Sequence, residues 1–190
     1  ESGELGCVQA NDWMIFSNFR SDRAKQLAKR FLAEKIPNLN YVAMTQYDDG
    51  LDASVAFPSE EVKNTLADVL SAGNLRQLRI TETEKFSHLT FFFNAQRYEP
   101  VAGEERIIID SNKDVNTHDE KPEMKAREIV RALENELAKG AQDFIVVNLV
   151  NCDMVGHSGN FDAIVRAVEE VDTALGLIEA MAKKYGAHCI

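Results

Sequence analysis

Residues 143–150 read Asp-Phe-Ile-Val-Val-Asn-Leu-Val, and after a short polar stretch residues 161–185 repeat apolar side chains at three- and four-residue spacing. A strand-length apolar run followed by an amphipathic helix is a β-α unit, and consecutive units of this kind force a crossover and hence a parallel sheet. The pattern recurs along the chain. Residues 13–19 form an aromatic-rich strand candidate, 21–34 a helix stopped by Pro37 and Asn38, and 41–47 a second strand ahead of the turn Asp48-Asp49-Gly50. The fold expected is α/β, a mainly parallel sheet flanked by helices.

Pro58 pushes Phe57 into extended geometry, and Ser59 is placed to cap a helix over 60–70, so a hinge is expected at 56–62. Beyond it, 75–80 reads as a strand, 81–87 as a loop or helical turn, 88–93 as a second apolar strand and 106–109 as a third. Pro122 suits the first turn of a helix over 123–138, whose Ala126, Ile129, Val130, Leu133 and Leu137 keep helical spacing. In the helix over 161–185 the stripe expected to be buried is Ile164, Val168, Val171, Leu175 and Ile178, with Gly186 as its stop.

With 190 residues, 45% of them hydrophobic, the chain can bury a substantial core in one or two domains. A net charge of -10 argues against a nucleic-acid partner, because phosphate backbones are held by clustered Lys and Arg. Any anionic ligand must be held by local arginines or a metal. No apolar run approaches the roughly 18 residues of a membrane-spanning helix. Three scattered cysteines, Cys7, Cys152 and Cys189, suit reduced thiols in a cytoplasmic protein. The chain opens on Glu1 and closes on Ala187-His188-Cys189-Ile190, which reads as the start of a buried strand, so both ends are expected to be cuts.

Three polar clusters follow strand candidates, where open α/β sheets collect their ligands. Asn151-Cys152-Asp153-Met154-Val155-Gly156-His157 puts a carboxylate and an imidazole four residues apart, a donor pair suited to Mn²⁺, Zn²⁺ or Fe²⁺. In isolation it more often describes a capping Asp and a loop His that hydrogen-bonds backbone. Arg20 and Arg23, at a helix start, can fork onto a carboxylate or phosphate, or can be a solvated face paired with Asp22 or Glu34. Lys85, within Thr81-Glu82-Thr83-Glu84-Lys85, can stabilise charge on a transferring phosphoryl group, or can lie in an exposed acidic loop. His88 reads as an orienting histidine, His118 and His188 as incidental, and Phe91-Phe92-Phe93 as core.

The segments Thr81-Glu82-Thr83-Glu84-Lys85-Phe86-Ser87-His88-Leu89-Thr90-Phe91-Phe92-Phe93-Asn94, Asn18-Phe19-Arg20-Ser21-Asp22-Arg23 and Asp153-Met154-Val155-Gly156-His157-Ser158-Gly159 together resemble the cofactor-independent phosphoglycerate mutases. Residues 41–48, 55–58 and 121–124 extend that likeness, in the family's order, over nearly the whole chain. The resemblance implies a two-domain enzyme of the alkaline phosphatase superfamily, in which a transferase domain is inserted into a phosphatase domain holding two Mn²⁺ or Mg²⁺ ions. Residues 1–55 would be the end of the transferase domain and 63–190 part of the phosphatase domain.

The implied reaction interconverts 3- and 2-phosphoglycerate in glycolysis and gluconeogenesis through a phosphoserine, with no 2,3-bisphosphoglycerate required, in a cytoplasmic monomer. Asp153 and His157 match two of the three protein ligands of one metal, Lys85 the phosphate-contacting lysine, and Arg20 with Arg23 the substrate-binding arginines. The family's nucleophilic serine lies upstream of residue 1 and its Asp-His-Gly metal motif beyond Ile190, so this chain resembles an internal, inactive fragment. A related phosphopentomutase or phosphatase, and a non-catalytic folded fragment, are the alternatives.

Overall fold

The computed structural model describes residues 6–58, 60 and 62–190, apart from the side chain of Asp22. The chain divides into two compact units, Glu1–Glu61 and Val62–Ile190.

In the first unit, β1 (Trp13–Phe16), β2 (Asn40–Thr45) and β3 (Ser54–Phe57) form a parallel sheet in the order β1-β2-β3, with α1 (Ser21–Ala33) crossing from β1 to β2. Ala24 and Ala28 of α1 are buried against Tyr41, Ala43 and Tyr47, small side chains on the helix letting it lie close to the aromatic ones. β1 ends at Phe16, short of the expected 13–19, because the backbone then turns to be held by Tyr47, whose hydroxyl donates to the carbonyls of Phe16 (3.1 Å) and Asn18. The helix expected over 60–70 is instead α2 (Leu66–Ala72), which belongs to the second unit. Its cap is Thr65, whose Oγ1 accepts from Asp68 N–H while the Asp68 carboxylate accepts from Thr65 N–H, a reciprocal box that satisfies two otherwise orphaned donors. Ser59 lies outside the described residues.

In the second unit β4 (Gln77–Glu82) is the central strand, flanked in parallel by β5 (Glu104–Ile109) and β6 (Phe144–Val147). All six residues of β4 are buried. Leu78 and Ile80 enter the main core with Ile129, Val130 and Leu133 of α3 (Ala126–Lys139) and with Ala174 and Met181 of α5 (Phe161–Tyr185). The expected parallel α/β architecture is therefore present. No helix among the described residues is long and apolar enough to cross a membrane.

Three local expectations fail for physical reasons. Residues 88–93 are not a strand: His88–Phe92 is a π-helical segment, with Thr90 Oγ1 donating to Phe86 O at 2.7 Å. Its Leu89 and Thr90 are buried, and the ring of Phe93 stacks on the guanidinium of Arg79 at 4.4 Å. Phe93 thus covers the sheet instead of joining it, while Phe92, expected in the core, is 43% exposed. In α5 the buried residues are Ala163, Ala167, Ala174, Met181 and Ala182; of the expected stripe Ile164 and Ile178 do pack against the cores, while Val168 and Leu175 are 50% and 53% exposed. Close approach to α4 (Asn151–Gly156) selects alanine at 163 and 167, whereas Ala174 and Met181 pack against α3 and the sheet. Pro122 precedes α3 instead of opening it, in a loop over 122–125 bonded to its surroundings by side chains of β4 and α4.

Gly103 joins the approach to β5 with φ 80°, and a Cβ there would stand 2.8 Å from the backbone oxygen of Leu75. Gly103→Ala is expected to destabilise the second unit by ~2 kcal/mol, from left-handed strain alone. Chemical denaturation of the variant checks this, and an unchanged midpoint would show the backbone there yields freely.

Candidate active site

β4 runs out at Glu82 into a single 3₁₀ turn, Thr83–Lys85, which puts Lys85 beyond the carboxyl end of the central strand. β6 runs out toward α4, so Asp153 in the helix and His157 at its C-cap occupy positions one helical turn apart. The two strand ends converge. Lys85 Nζ donates to Asp153 Oδ2, although 68 residues separate them in sequence, and Asp153 Oδ1 lies 3.5 Å from His157 Nε2.

Exposure differs sharply across this trio, the side chain of Lys85 being 15% exposed, Asp153 51% and His157 75%. The ammonium is sheltered while the carboxylate and imidazole face solvent. Asp153's carboxyl is held below the usual carboxylate range, first by its hydrogen bond from Lys85; desolvation opposes this, and the charges of Lys85, His157 and His88 add to it. His88 was expected only as an orienting residue, and its charge also acts on Asp153.

A hard oxygen and an imidazole nitrogen 3.5 Å apart fit two positions around one Mn²⁺-like or Zn²⁺-like ion. Among the described residues no group of three or more His, Cys, Asp or Glu that could hold a metal ion is present.

Arg20 and Arg23 belong to the first unit. Arg20 occupies the cap position of α1 and Arg23 its first turn, both exposed, and Asn18 Oδ1 accepts from Arg20 N–H at 2.8 Å, fixing the entry to the helix. Glu34 pairs with Arg30 at 2.6 Å, so it is engaged away from that pair, and the Asp22 side chain lies outside the described residues. A groove of about 760 Å³ is lined by the loop over 120–125, α3 and α5, and includes none of the trio. Its five cations, Lys121, Lys125, Arg127, Arg131 and Arg166, are balanced by five glutamates, so it offers no preference for an anion.

Glu82 and Asn151 were given no part by sequence reasoning. Both are fully buried at the two strand ends, and only a polar residue next to a chemical motif hinted at either.

The sequence profile of the Metalloenzyme superfamily matches residues 17–190, which takes in Lys85, Asp153 and His157. The chain belongs to the Metalloenzyme superfamily. It is 47% identical over 190 residues to the 2,3-bisphosphoglycerate-independent phosphoglycerate mutase of Methanococcoides burtonii, covering 96% of this chain and 36% of the relative. It is 49% identical over 188 residues to 2,3-bisphosphoglycerate-independent phosphoglycerate mutase 2 of Methanosarcina acetivorans, covering 94% of this chain and again 36% of the relative. Among solved structures it resembles a Leishmania mexicana phosphoglycerate mutase crystallised at low cobalt concentration, with a TM-score of 0.73 and 27% identity over 95% of this chain and 35% of that one. This superfamily member thus spans little more than a third of the length of the mutases it matches.

Proposed function

We propose that a full-length protein carrying these residues interconverts 3-phosphoglycerate and 2-phosphoglycerate in glycolysis and gluconeogenesis, through a phosphoserine and without added 2,3-bisphosphoglycerate. The observation that carries this reading is the convergence of Lys85, Asp153 and His157 at two strand ends, in a chain whose relatives bear that name. In it, Asp153 and His157 hold one of two divalent ions, Mn²⁺ or Mg²⁺. Bound metal supplies Lewis-acid stabilisation to the phosphoryl oxygens.

The chain's own residues do the rest of their share by position and charge. Lys85, sheltered beside Asp153, presents its ammonium to the transferring phosphoryl group, where charge spreads over the equatorial oxygens. Arg20 and Arg23 grip the glycerate's carboxylate and phosphate, bidentate recognition being what guanidinium groups do best. The first unit is then the end of a substrate-clamping transferase domain, with a hinge at 56–62, and the second is part of a phosphatase domain. The intact protein works as a cytoplasmic monomer on a small-molecule substrate.

The test is ³¹P NMR of 3-phosphoglycerate incubated with the full-length protein and Mn²⁺. Appearance of 2-phosphoglycerate without 2,3-bisphosphoglycerate is expected, and a strict need for that compound, or no conversion, would contradict the reading. For the 190-residue chain by itself, no turnover is expected and calorimetric titration with Mn²⁺ should give at most one weak site. Measurable isomerisation by that chain would overturn the division of labour.

A further inference from the structure

Lys85 and Asp153 sit on backbone that no sheet ladder joins. Pairing of β4 with β6 ends at Ile80 and Val147, closed by Asn148 N–H donating to Ile80 O at 3.0 Å. Past that rung no ladder bond joins the two segments, one leading to Lys85 and the other into α4. The loop over 122–125 is bonded to both. From the β4 side, Glu82 Oε1 accepts from Lys125 N–H at 2.9 Å while Oε2 accepts from Ser111 Oγ at 2.8 Å. From the α4 side, Asn151 Nδ2 donates to Pro122 O at 2.9 Å and to Glu123 O at 2.8 Å.

Both anchors have 0% exposure, so their bonds are made where water cannot replace them and where losing one is costly. The loop is also held in an unusual shape. Met124 has φ 42° with its side chain 4% exposed, a left-handed backbone on a non-glycine residue that persists only when its surroundings over-determine it. Burial pushes the Glu82 carboxyl up, against the opposing pull of its hydrogen bonds from Lys125 N–H and Ser111.

We propose that Glu82 and Asn151 are positioning residues, clamping one loop from two sides and thereby setting the distance and orientation between Lys85 and Asp153. What that pair does rests on the function proposed above, while the clamp itself is a property of this chain. A misplacement of about 1 Å at a phosphoryl-binding pair is enough to cost on the order of 100-fold in rate.

The test is competitive labelling of the 190-residue chain with limiting acetic anhydride, each lysine read by peptide mass spectrometry. Lys139 and Lys183, exposed and remote from the loop, serve as internal references. Glu82→Leu is expected to raise Lys85 labelling severalfold relative to them, as the ammonium loses its sheltered place. Glu82→Gln keeps an acceptor for Lys125 N–H and a partner for Ser111, and should match the parent chain. Should Glu82→Leu unfold the chain, so that all lysines rise together, Asn151→Leu carries the same comparison by breaking the other anchor. An unchanged Lys85 ratio in the folded anchor variant, or Glu82→Gln as disruptive as Glu82→Leu, would overturn the proposal. In the full-length protein the anchor variants should lower kcat more than they raise KM. Failure of the unaltered protein to isomerise phosphoglycerate would sink the function and leave the labelling result standing.

Discussion

Replacing Lys85 with alanine in a full-length protein that carries this chain is expected to lower kcat about 10²- to 10³-fold, the range for removing one preorganised donor from a developing anion. Folding should survive. The Lys85–Asp153 pair has a half-exposed carboxylate, and such pairs contribute only about 0–1 kcal/mol to stability. Asp153 and His157 remain in place on α4, so metal binding should be retained. Lys85→Arg restores the charge on a longer, planar group and should recover only part of the rate. Steady-state kinetics beside circular dichroism separates these effects. Near-normal kcat in a folded, metal-loaded Lys85→Ala protein would remove Lys85 from the chemistry.

The largest stability effect is expected away from the site, at Glu104. Its side chain is 0% exposed and accepts from Arg106 Nε at 2.6 Å, from Asn94 Nδ2 at 2.7 Å and from Val101 N–H at 3.2 Å. It also supplies the charge that counters burial at Arg79, a fully buried guanidinium whose pKa burial lowers. Glu104→Ala leaves two guanidinium groups inside the unit with no carboxylate between them. Breaking one side of a buried ion network in this way costs about 3–5 kcal/mol. Replacing the group together, as Arg79→Met, Glu104→Leu and Arg106→Leu, should recover much of that loss, because apolar packing then takes over from ions that were costly to desolvate. Hydrogen exchange at the β4 amides of Leu78 and Ile80 reads the second unit directly. Protection equal to that of the parent chain in Glu104→Ala would show that water or a rearranged side chain already compensates the charge.

The parallel α/β plan was legible because it rests on local patterns: the apolar run ending at Val150, the helical spacing of Ile129 and Leu133, the Gly186 stop. Errors came where tertiary packing decides. The run His-Leu-Thr-Phe-Phe-Phe has the composition of a strand, yet Arg79 on the neighbouring face draws Phe93 over it and the segment winds into a π-helix. In α5 a bulky stripe and an alanine face compete for the core, and spacing alone does not say that close helix contact favours alanine. For the site, residue types and spacing named Lys85, Asp153 and His157. Their meeting across 68 residues depends on a loop whose hold on Glu82 and Asn151 leaves no periodic signature.

The most direct measurement is anomalous diffraction at the manganese edge from crystals of the full-length protein grown with Mn²⁺ and 3-phosphoglycerate. The account predicts a peak within coordinating distance of the Asp153 carboxylate and the His157 imidazole, with Lys85 Nζ on a phosphate oxygen. A substrate-bound crystal whose metal peaks avoid both Asp153 and His157, or whose phosphate lies away from Lys85, would contradict it.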